Sequence, residues 1–412
     1  MKSDLDQLMQ SKCLDAILIT GPAQHNPAMV YLTGGAHLTS GDLIKKHGEE
    51  PILFYNPMER EEAAKTGLKT KNLADYDYQE LLKQTQGDHL RATVLRYQKI
   101  LEDYGLDKAH IAVYGKIDAG SAYAVFSGLA SALPDLRISG ELTDSILLQA
   151  MATKNESEIE RIRKMGQITT QVVGNVADYL TSQKIQGDVL FKSNGEPAKI
   201  KDVKSQINLW LAERGAENPE GTIFAIGHDA GVPHSSGDPE NVLKLGETIV
   251  FDIFPCEAGG GYYYDFTRTW CLGYAPEKVQ RIYQDVYDVY QQIMGELRVN
   301  TPCRGYQDRT CELFEAKGHP TVKSNPQTEI GYVHGLGHGI GLHVHERPWL
   351  GRNSTEEDLL APGVVVTIEP GLYYPDQGIG IRLEDTVWVR PDGEIEILAK
   401  YPLDLVLPVK RS

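Results

Sequence analysis

The sequence predicts two domains: a smaller α/β domain over residues 1–152 and an α+β domain over 153–412, its helices packed on an antiparallel sheet. Three observations carry this. A chain of 412 residues exceeds the length at which one hydrophobic core usually stops growing. Its first part alternates short apolar runs with helical spacers, the pattern of a mixed or parallel sheet covered by helices. Its second part sets long amphipathic helices among β-branched and aromatic runs, which indicates helices on an antiparallel sheet.

The elements follow in order. LDQLMQ starts a helix, AILIT is strand-like, and NPAMVYLTGG reads as a further strand ended by Gly34 and Gly35. PILFYN and HIAVYG repeat the strand pattern, with EREEAAKTG and RATVLRYQKILEDYG as helical spacers. No GxGxxG spacing is present, so nucleotide binding gains no support. From 152 to 180 the character changes. Asn155 and Glu158 form a capping-box pattern, and Ile159, Ile162, Met165, Val172, Val176 and Leu180 keep an apolar stripe. DVKSQINLWLAERG and PEKVQRIYQDVYDVYQQIMGEL read as two more helices, the second with Pro276 near its first turn. GTIFAIG, ETIVFDIFP, YYYDFTRTW, GVVVTIEPG and GIGIRLEDTVWV are the strands of this domain.

Composition narrows the function classes. A net charge of -16, from 41 basic and 57 acidic side chains, argues against a nucleic-acid footprint. The longest basic cluster, KIKDVK at 199–204, is interrupted by an Asp and reads as a solvated face. No apolar window approaches a membrane span, and the N-terminus has no export signal. The 5 cysteines show no CxxC spacing. Reduced thiols in a cytoplasmic protein are therefore expected.

Polar residues inside apolar strands carry the chemical information. Asp252 interrupts TIVFDIF and Asp265 sits between YYY and FTRT, across a turn rich in glycine. Antiparallel strands joined there bring the two carboxylates side by side. Glu369 ends VVVTIEPG, and Glu384 lies in GIRLED on the same face as Arg382. Singly, each acid also reads as a turn cap or an arginine partner. Four together repel and desolvate badly unless cations hold them. Carboxylate oxygens with an imidazole nitrogen suit Mn, Zn, Co or Fe. The stretch VHGLGHGIGLHVHERP holds His334, His338, His343 and His345, in a chain with 12 histidines. It offers that nitrogen, but HExxH is absent, so a two-histidine helical zinc site fits poorly.

In this order, DIF with YYYDFTRT, HGLGHGIGLHVHE, VTIEPG and GIRLED resemble the metal centre of the pita-bread metallopeptidases. That superfamily includes aminopeptidase P, prolidase, methionine aminopeptidase and the metal-free creatinase. The first domain and TKNESEIERIRKMG resemble the creatinase/prolidase branch, so the resemblance covers nearly the whole chain. It implies a creatinase/aminopeptidase-like fold with two divalent ions, Mn first and Zn, Co or Fe as alternatives. Asp252 would chelate one ion, Asp265 and Glu384 would bridge both, and His338 and Glu369 would hold the second. A water or hydroxide between the metals would be the nucleophile, with Glu369 taking its proton. His234 and His345 would meet the substrate, His345 at its carbonyl. His334 would line the pocket, and Arg382 would orient carboxylates or substrate. Without the resemblance, these histidines read as ordinary surface or core imidazoles.

The chain also departs from that pattern. Asp252 and Asp265 are separated by an even-numbered lengthening of their hairpin, which preserves the face each occupies. Cys256 falls in this turn and reads as a bystander whose oxidation could impair activity. Many prolidases carry an arginine two positions beyond the Pro of VHExP to receive a dipeptide's carboxylate. Here Trp349 follows Pro348, and arginines stand only at 347 and 352. Residues 186–200 look inserted and suggest a rim or lid.

The expected function is an Xaa-Pro aminopeptidase, removing the residue before a proline in second position. Its pocket must recognise the pyrrolidine ring by shape, since the scissile amide has no N–H. Tyr262 to Tyr264 and Trp349 offer apolar walls, although the same aromatics also read as core. The alternatives are an Xaa-Pro dipeptidase (prolidase) or a hydrolase or lyase of another small metabolite on the same fold. A ligand-free binding module and a creatinase-like mechanism are both disfavoured, because all five expected ligands are present. The resemblance further implies a homodimer acting on proline-containing peptides, with no nucleic-acid or membrane partner.

Overall fold

The computed structural model describes residues 4–142 and 145–409, so the outermost residues of both sequence-derived domain ranges lie outside the described residues. The chain divides into two compact units. One runs to Met151 and includes Gly259–Gly261; the other holds Ala152–Ala258 and Tyr262 onward.

In the first unit six strands form one sheet: β1 (Ala16–Gly21), β2 (Gly41–Lys46), β3 (Ile52–Tyr55), β4 (Lys69–Asn72), β5 (His110–Gly115) and β6 (Arg137–Ser139). Their order is β4-β3-β2-β1-β5-β6. β1 pairs antiparallel with β2 and parallel with β5, so the sheet is mixed. AILITG is buried along its whole length, as a central strand covered on both faces must be. Leu18, Ile44, Phe54, Tyr97, Ile100 and Ile111 meet in its core. One expectation fails here: NPAMVYLTGG contributes a helix, Pro27–Thr33, not a strand. The Asn26 side chain accepts from the Met29 N–H, Pro27 supplies a preset first turn, and Gly34 closes the helix at φ +77°. A second helix, Ala119–Ala132, was not foreseen in its small-residue run AGSAYAVFSGLASA.

The second unit opens with the long helix Glu156–Thr181, whose Asn155/Glu158 capping box forms as its sequence predicts. A hairpin of β7 (Lys184–Gln186) and β8 (Val189–Phe191) precedes the helix Ile200–Ala212. Short β9 (Ala216–Glu217) pairs with β12 (Cys256–Glu257). β10 (Thr222–Ile226), β11 (Thr248–Ile253) and β13 (Phe266–Leu272) form an antiparallel sheet, which β21 (Val406–Leu407) extends. The second large sheet is ordered β15-β14-β16-β19-β20. Its strands are β14 (Gly337–Gly339), β15 (Glu346–Leu350), β16 (Val365–Ile368), β19 (Asp385–Val389) and β20 (Ile395–Ile397). β17 (Gly371–Tyr374) and β18 (Ile379–Arg382) make a separate hairpin. Helix Glu277–Glu296 buries Val279, Ile282, Val286, Val289 and Ile293 in a core shared with Val366, Ile368, Ile381 and Val387. That fastens a helix directly behind the strands that end in polar residues. Helix Cys303–Ala316 joins the same core and had no counterpart in the sequence reading, because its apolar stripe is thin.

All 5 cysteines are free, four of them buried. Among the described residues no helix is long and apolar enough to cross a membrane.

Candidate metal centre

β11 and β13 run antiparallel with Asp252 opposite Thr267. Asp265 lies two residues before Thr267, so it shares the face of Asp252, as an even hairpin lengthening requires. Glu384 falls just beyond the end of β18, not within that strand as expected. Its N–H donates to the Thr267 carbonyl (3.1 Å) and its Oε2 accepts from the Thr267 hydroxyl (2.7 Å). Thr267 therefore ties the first sheet to the corner that presents Glu384. Arg268 braces the same corner from within the core, donating to the carbonyl of Glu384 and to Asp385.

His338 arrives from the other large sheet. Its N–H donates to the Thr367 hydroxyl (3.1 Å), which itself donates to Glu369 Oε1 (3.3 Å). With Nδ1 donating to the Gly339 carbonyl (3.0 Å), Nε2 keeps its lone pair free. That nitrogen stands 3.7 Å from Asp265 Oδ2 and 3.4 Å from Glu369 Oε1. The pairing of β14 with β15 slips between His338 and Gly339, an irregularity of the kind that re-aims a side chain. Gly337 allows the close approach, since a Cβ there would lie 2.0 Å from the Thr367 carbonyl oxygen.

Atoms of Asp265, His338 and Glu384 all come within 4.8 Å of one another, the one such group found among the described residues. Asp252 and Glu369 line the same cavity, of about 1020 Å³. Its walls also carry His234, His334, His345, Arg382 and Trp349, so every sequence-derived site residue opens onto one space. His345 stacks obliquely on His338, ring centroids 4.3 Å apart, and both His345 and His234 are exposed to the cavity. Arg382 is buried and donates to Asp252 Oδ2 (2.6 Å), to the Tyr373 hydroxyl (2.7 Å) and to Thr267 (3.2 Å). Tyr373 in turn meets His334 Nε2 (2.9 Å). Thr267, Thr367 and Tyr373 were missed by the sequence reading; the strand alternation around the acidic residues was the available signal for the two threonines.

The electrostatics of the site suit a cation. Burial holds the Asp265 carboxyl well above its ordinary range, and the charges of Asp252 and Glu369 add to it. Burial does the same to Glu384, reinforced by Asp265 and Glu369. Glu369 is pushed up to about 8 by burial and by Asp252, against the opposing Arg382. Burial lowers His338 to about 3, so its imidazole is neutral at pH 7. Asp252 Oδ1 is buried with no hydrogen-bond partner. Crowded carboxylates, an orphaned oxygen and a neutral imidazole fit divalent ions with oxygen and nitrogen ligands.

Two expectations for the surroundings need correction. Tyr262, Tyr263 and Tyr264 are core residues and do not line the cavity. Residues 186–200 hold the end of the β7–β8 hairpin and bridge to Val242 and Lys244, and none of them is among the cavity-lining residues. Cys256 is buried outside the cavity lining, its thiol pushed up to about 12 by burial and Glu217.

The sequence profile of metallopeptidase family M24 matches residues 160–391. An Xaa-Pro dipeptidase of Pyrococcus furiosus is 26% identical over 95% of this chain and 97% of its own length. The crystal structure of a dipeptidase from Pyrococcus horikoshii superposes with TM-score 0.74 at 22% identity, covering 98% of this chain and 99% of that one. An X-Pro aminopeptidase from Thermotoga maritima gives TM-score 0.72 at 22% identity over 97% and 99% of the two chains. At such identities the structural likenesses establish the architecture, an α+β pita-bread domain preceded by a smaller α/β domain.

Proposed function

Since the chain belongs to metallopeptidase family M24, we propose that it is an Xaa-Pro dipeptidase, hydrolysing the bond before proline in short peptides. The observation that carries the reading is the buried Asp265–His338–Glu384 cluster opening, with Asp252 and Glu369, onto one cavity. The dipeptide preference is supported by the Pyrococcus furiosus Xaa-Pro dipeptidase, which aligns with almost the whole chain. This favours the dipeptidase alternative over the aminopeptidase first expected.

In this reading Asp252, Asp265, His338, Glu369 and Glu384 would hold two divalent ions, Mn first. Such ions, when bound, make water nucleophilic near neutral pH and polarise a carbonyl. Glu369 takes the proton from the attacking water on its carboxylate and returns it to the leaving proline nitrogen. His345 and His234, exposed to the cavity, donate toward the scissile carbonyl as its oxygen gains charge. Arg382 and Tyr373 hold Asp252 and His334 in place. Trp349, on the cavity wall, offers the pyrrolidine ring an apolar face.

A second reading, an Xaa-Pro aminopeptidase acting on longer peptides, is favoured by the cavity's volume of about 1020 Å³, at the top of the range for small-molecule sites. The deciding experiment reconstitutes the protein with Mn, Co or Zn, counts bound metal, and assays Gly-Pro, Ala-Pro-Ala and a non-prolyl peptide. Fastest cleavage of Gly-Pro is expected. Faster cleavage of Ala-Pro-Ala establishes the second reading, and a metallated protein that cleaves no prolyl peptide defeats both.

A further inference from the structure

The arginine that many prolidases place beyond VHExP is missing, and neither nearby arginine replaces it directly. Arg347 is buried and committed, donating to Asp358 (3.0 Å) and Thr355 (2.8 Å). Arg382 is committed to Asp252 and Tyr373. If the substrate is a dipeptide, its carboxylate must meet some other cation.

KIKDVK, the basic run that reads as a solvated face, supplies one. Lys199 and Lys201 do behave as a surface pair, both donating to Glu240. Lys204, on the helix Ile200–Ala212, lines the cavity instead. Its ammonium donates to the Ser236 carbonyl (2.5 Å), and it has no carboxylate within 4 Å among the described residues. It is half-buried, and that burial lowers its pKa, the mark of a cation left without an anion. Lys192, by contrast, is neutralised by Asp202 on the helix that carries Lys204. A carbonyl accepts one of the three ammonium protons, leaving two donors for a ligand. Arg352 also lines the cavity, without an acidic partner among the described residues, but it is exposed and meets Pro326 O only at 3.4 Å. It is the weaker candidate, being the less preorganised.

We propose that Lys204 receives the C-terminal carboxylate of the substrate and so selects free dipeptides over blocked or longer peptides. This rests on the Xaa-Pro reading above and assigns the residue that sets peptide length within it. Lys204 belongs to the helix preceding β9, outside the motifs that supply the metal-centre candidates. A specificity cation placed there acts on KM through a charge-assisted bond, without touching the reacting atoms.

The test compares Ala-Pro with Ala-Pro-amide in the wild type and in the Lys204→Met, Lys204→Arg and Arg352→Met variants, each fully metallated. Wild type should favour the free acid. Lys204→Met should raise KM for Ala-Pro roughly tenfold or more, the scale of one bond to a charged group, and collapse the acid-over-amide ratio. Lys204→Arg should restore much of that ratio, which a merely structural role would not predict. A Lys204→Met enzyme that keeps the wild-type ratio overturns the inference, as does collapse of the ratio in Arg352→Met alone. A wild type that cleaves both substrates equally well also overturns it, while the Xaa-Pro reading stands. A metallated wild type that cleaves neither removes the Xaa-Pro reading, and this inference with it.

Discussion

Asp265 is a crowded carboxylate, with Asp252, Glu369 and Glu384 around it and His338 Nε2 at 3.7 Å. Its proposed role as a shared ligand makes Asp265→Asn, or Glu384→Gln, nearly abolish turnover and lower the bound-metal count. A folded variant with parental turnover and metal content would sink the assignment. His345 makes the contrasting case, since its ring touches His338 and no side-chain hydrogen bond holds it among the described residues. His345→Ala should keep fold and metal content while kcat falls ~10²-fold, the scale of one lost transition-state donor. Loss of metal in that variant would instead make His345 a ligand. In the first unit, burial raises the Asp42 carboxyl above its ordinary value of 3.8, with Tyr97 donating to it at 2.7 Å. A group raised in the folded state stabilises it fully below the unfolded pKa, and the contribution is lost as pH rises through the folded pKa. Asp42→Asn stays neutral and should therefore gain on the wild type as pH climbs above about 4. Urea midpoints at pH 4 and pH 8 decide it; an equal difference at both would refute the argument.

Strand β14 shows how an element becomes a site. It is three residues long, Gly337–Gly339, and it lies between β15 and β16 so that His338 faces the cavity. Long side chains at 337 or 339 would hold those neighbours away from it. A Cβ on Gly339 would stand 2.0 Å from the Arg347 carbonyl oxygen, a backbone atom that cannot swing aside. Gly339→Ala should therefore destabilise the protein by about 1–3 kcal/mol and weaken metal retention beside it. Chemical denaturation and metal counting on the same sample check both, and parental values for the two would contradict this role for the strand. Behind the neighbouring loop, Lys154 pairs with Glu346 in full burial, and a buried pair of this kind costs several kcal/mol when one partner is removed. The loop carrying His345 thus rests on an element far away in sequence.

At the largest scale, helices Glu277–Glu296 and Cys303–Ala316 share one hydrophobic core with strands of the second unit, and acidic residues collect at or near the strand ends. The fold spends stability to gather those charges, so bound ions should return it. Chelation is expected to lower Tm by several degrees, and Mn to restore it, since ligand at about a hundredfold over Kd contributes ~2.7 kcal/mol. An unchanged Tm after complete metal removal would mean that protons alone satisfy the site. The free cysteines have no part in this balance, four of them being buried.

Local and ordered features of this protein were readable in the chain. The Asn155–Glu158 capping box, the apolar stripes of two long helices and the order of the acidic and histidine strings were all legible, because each depends on residues close together in the chain. Asp252, Asp265, Glu369 and Glu384 could be picked out as polar residues set in apolar strands, His338 only through the family resemblance, and the fold brings all five to one cavity. One local signal went the other way: NPAMVYLTGG has the apolar run of a strand, yet its own Asn26 cap and Gly34 turn, both readable in the chain, commit it to a helix. Tertiary structure decided the rest. The triple tyrosine went to the core, and Arg347 went to Asp358, because strand alternation specifies a face but not what that face meets. Thr267 became the tie between Asp252's sheet and Glu384 through pairing 117 residues away. Lys204 could not be told from Lys201 by composition; only the packing of their shared helix turned one toward Glu240 and the other toward the cavity.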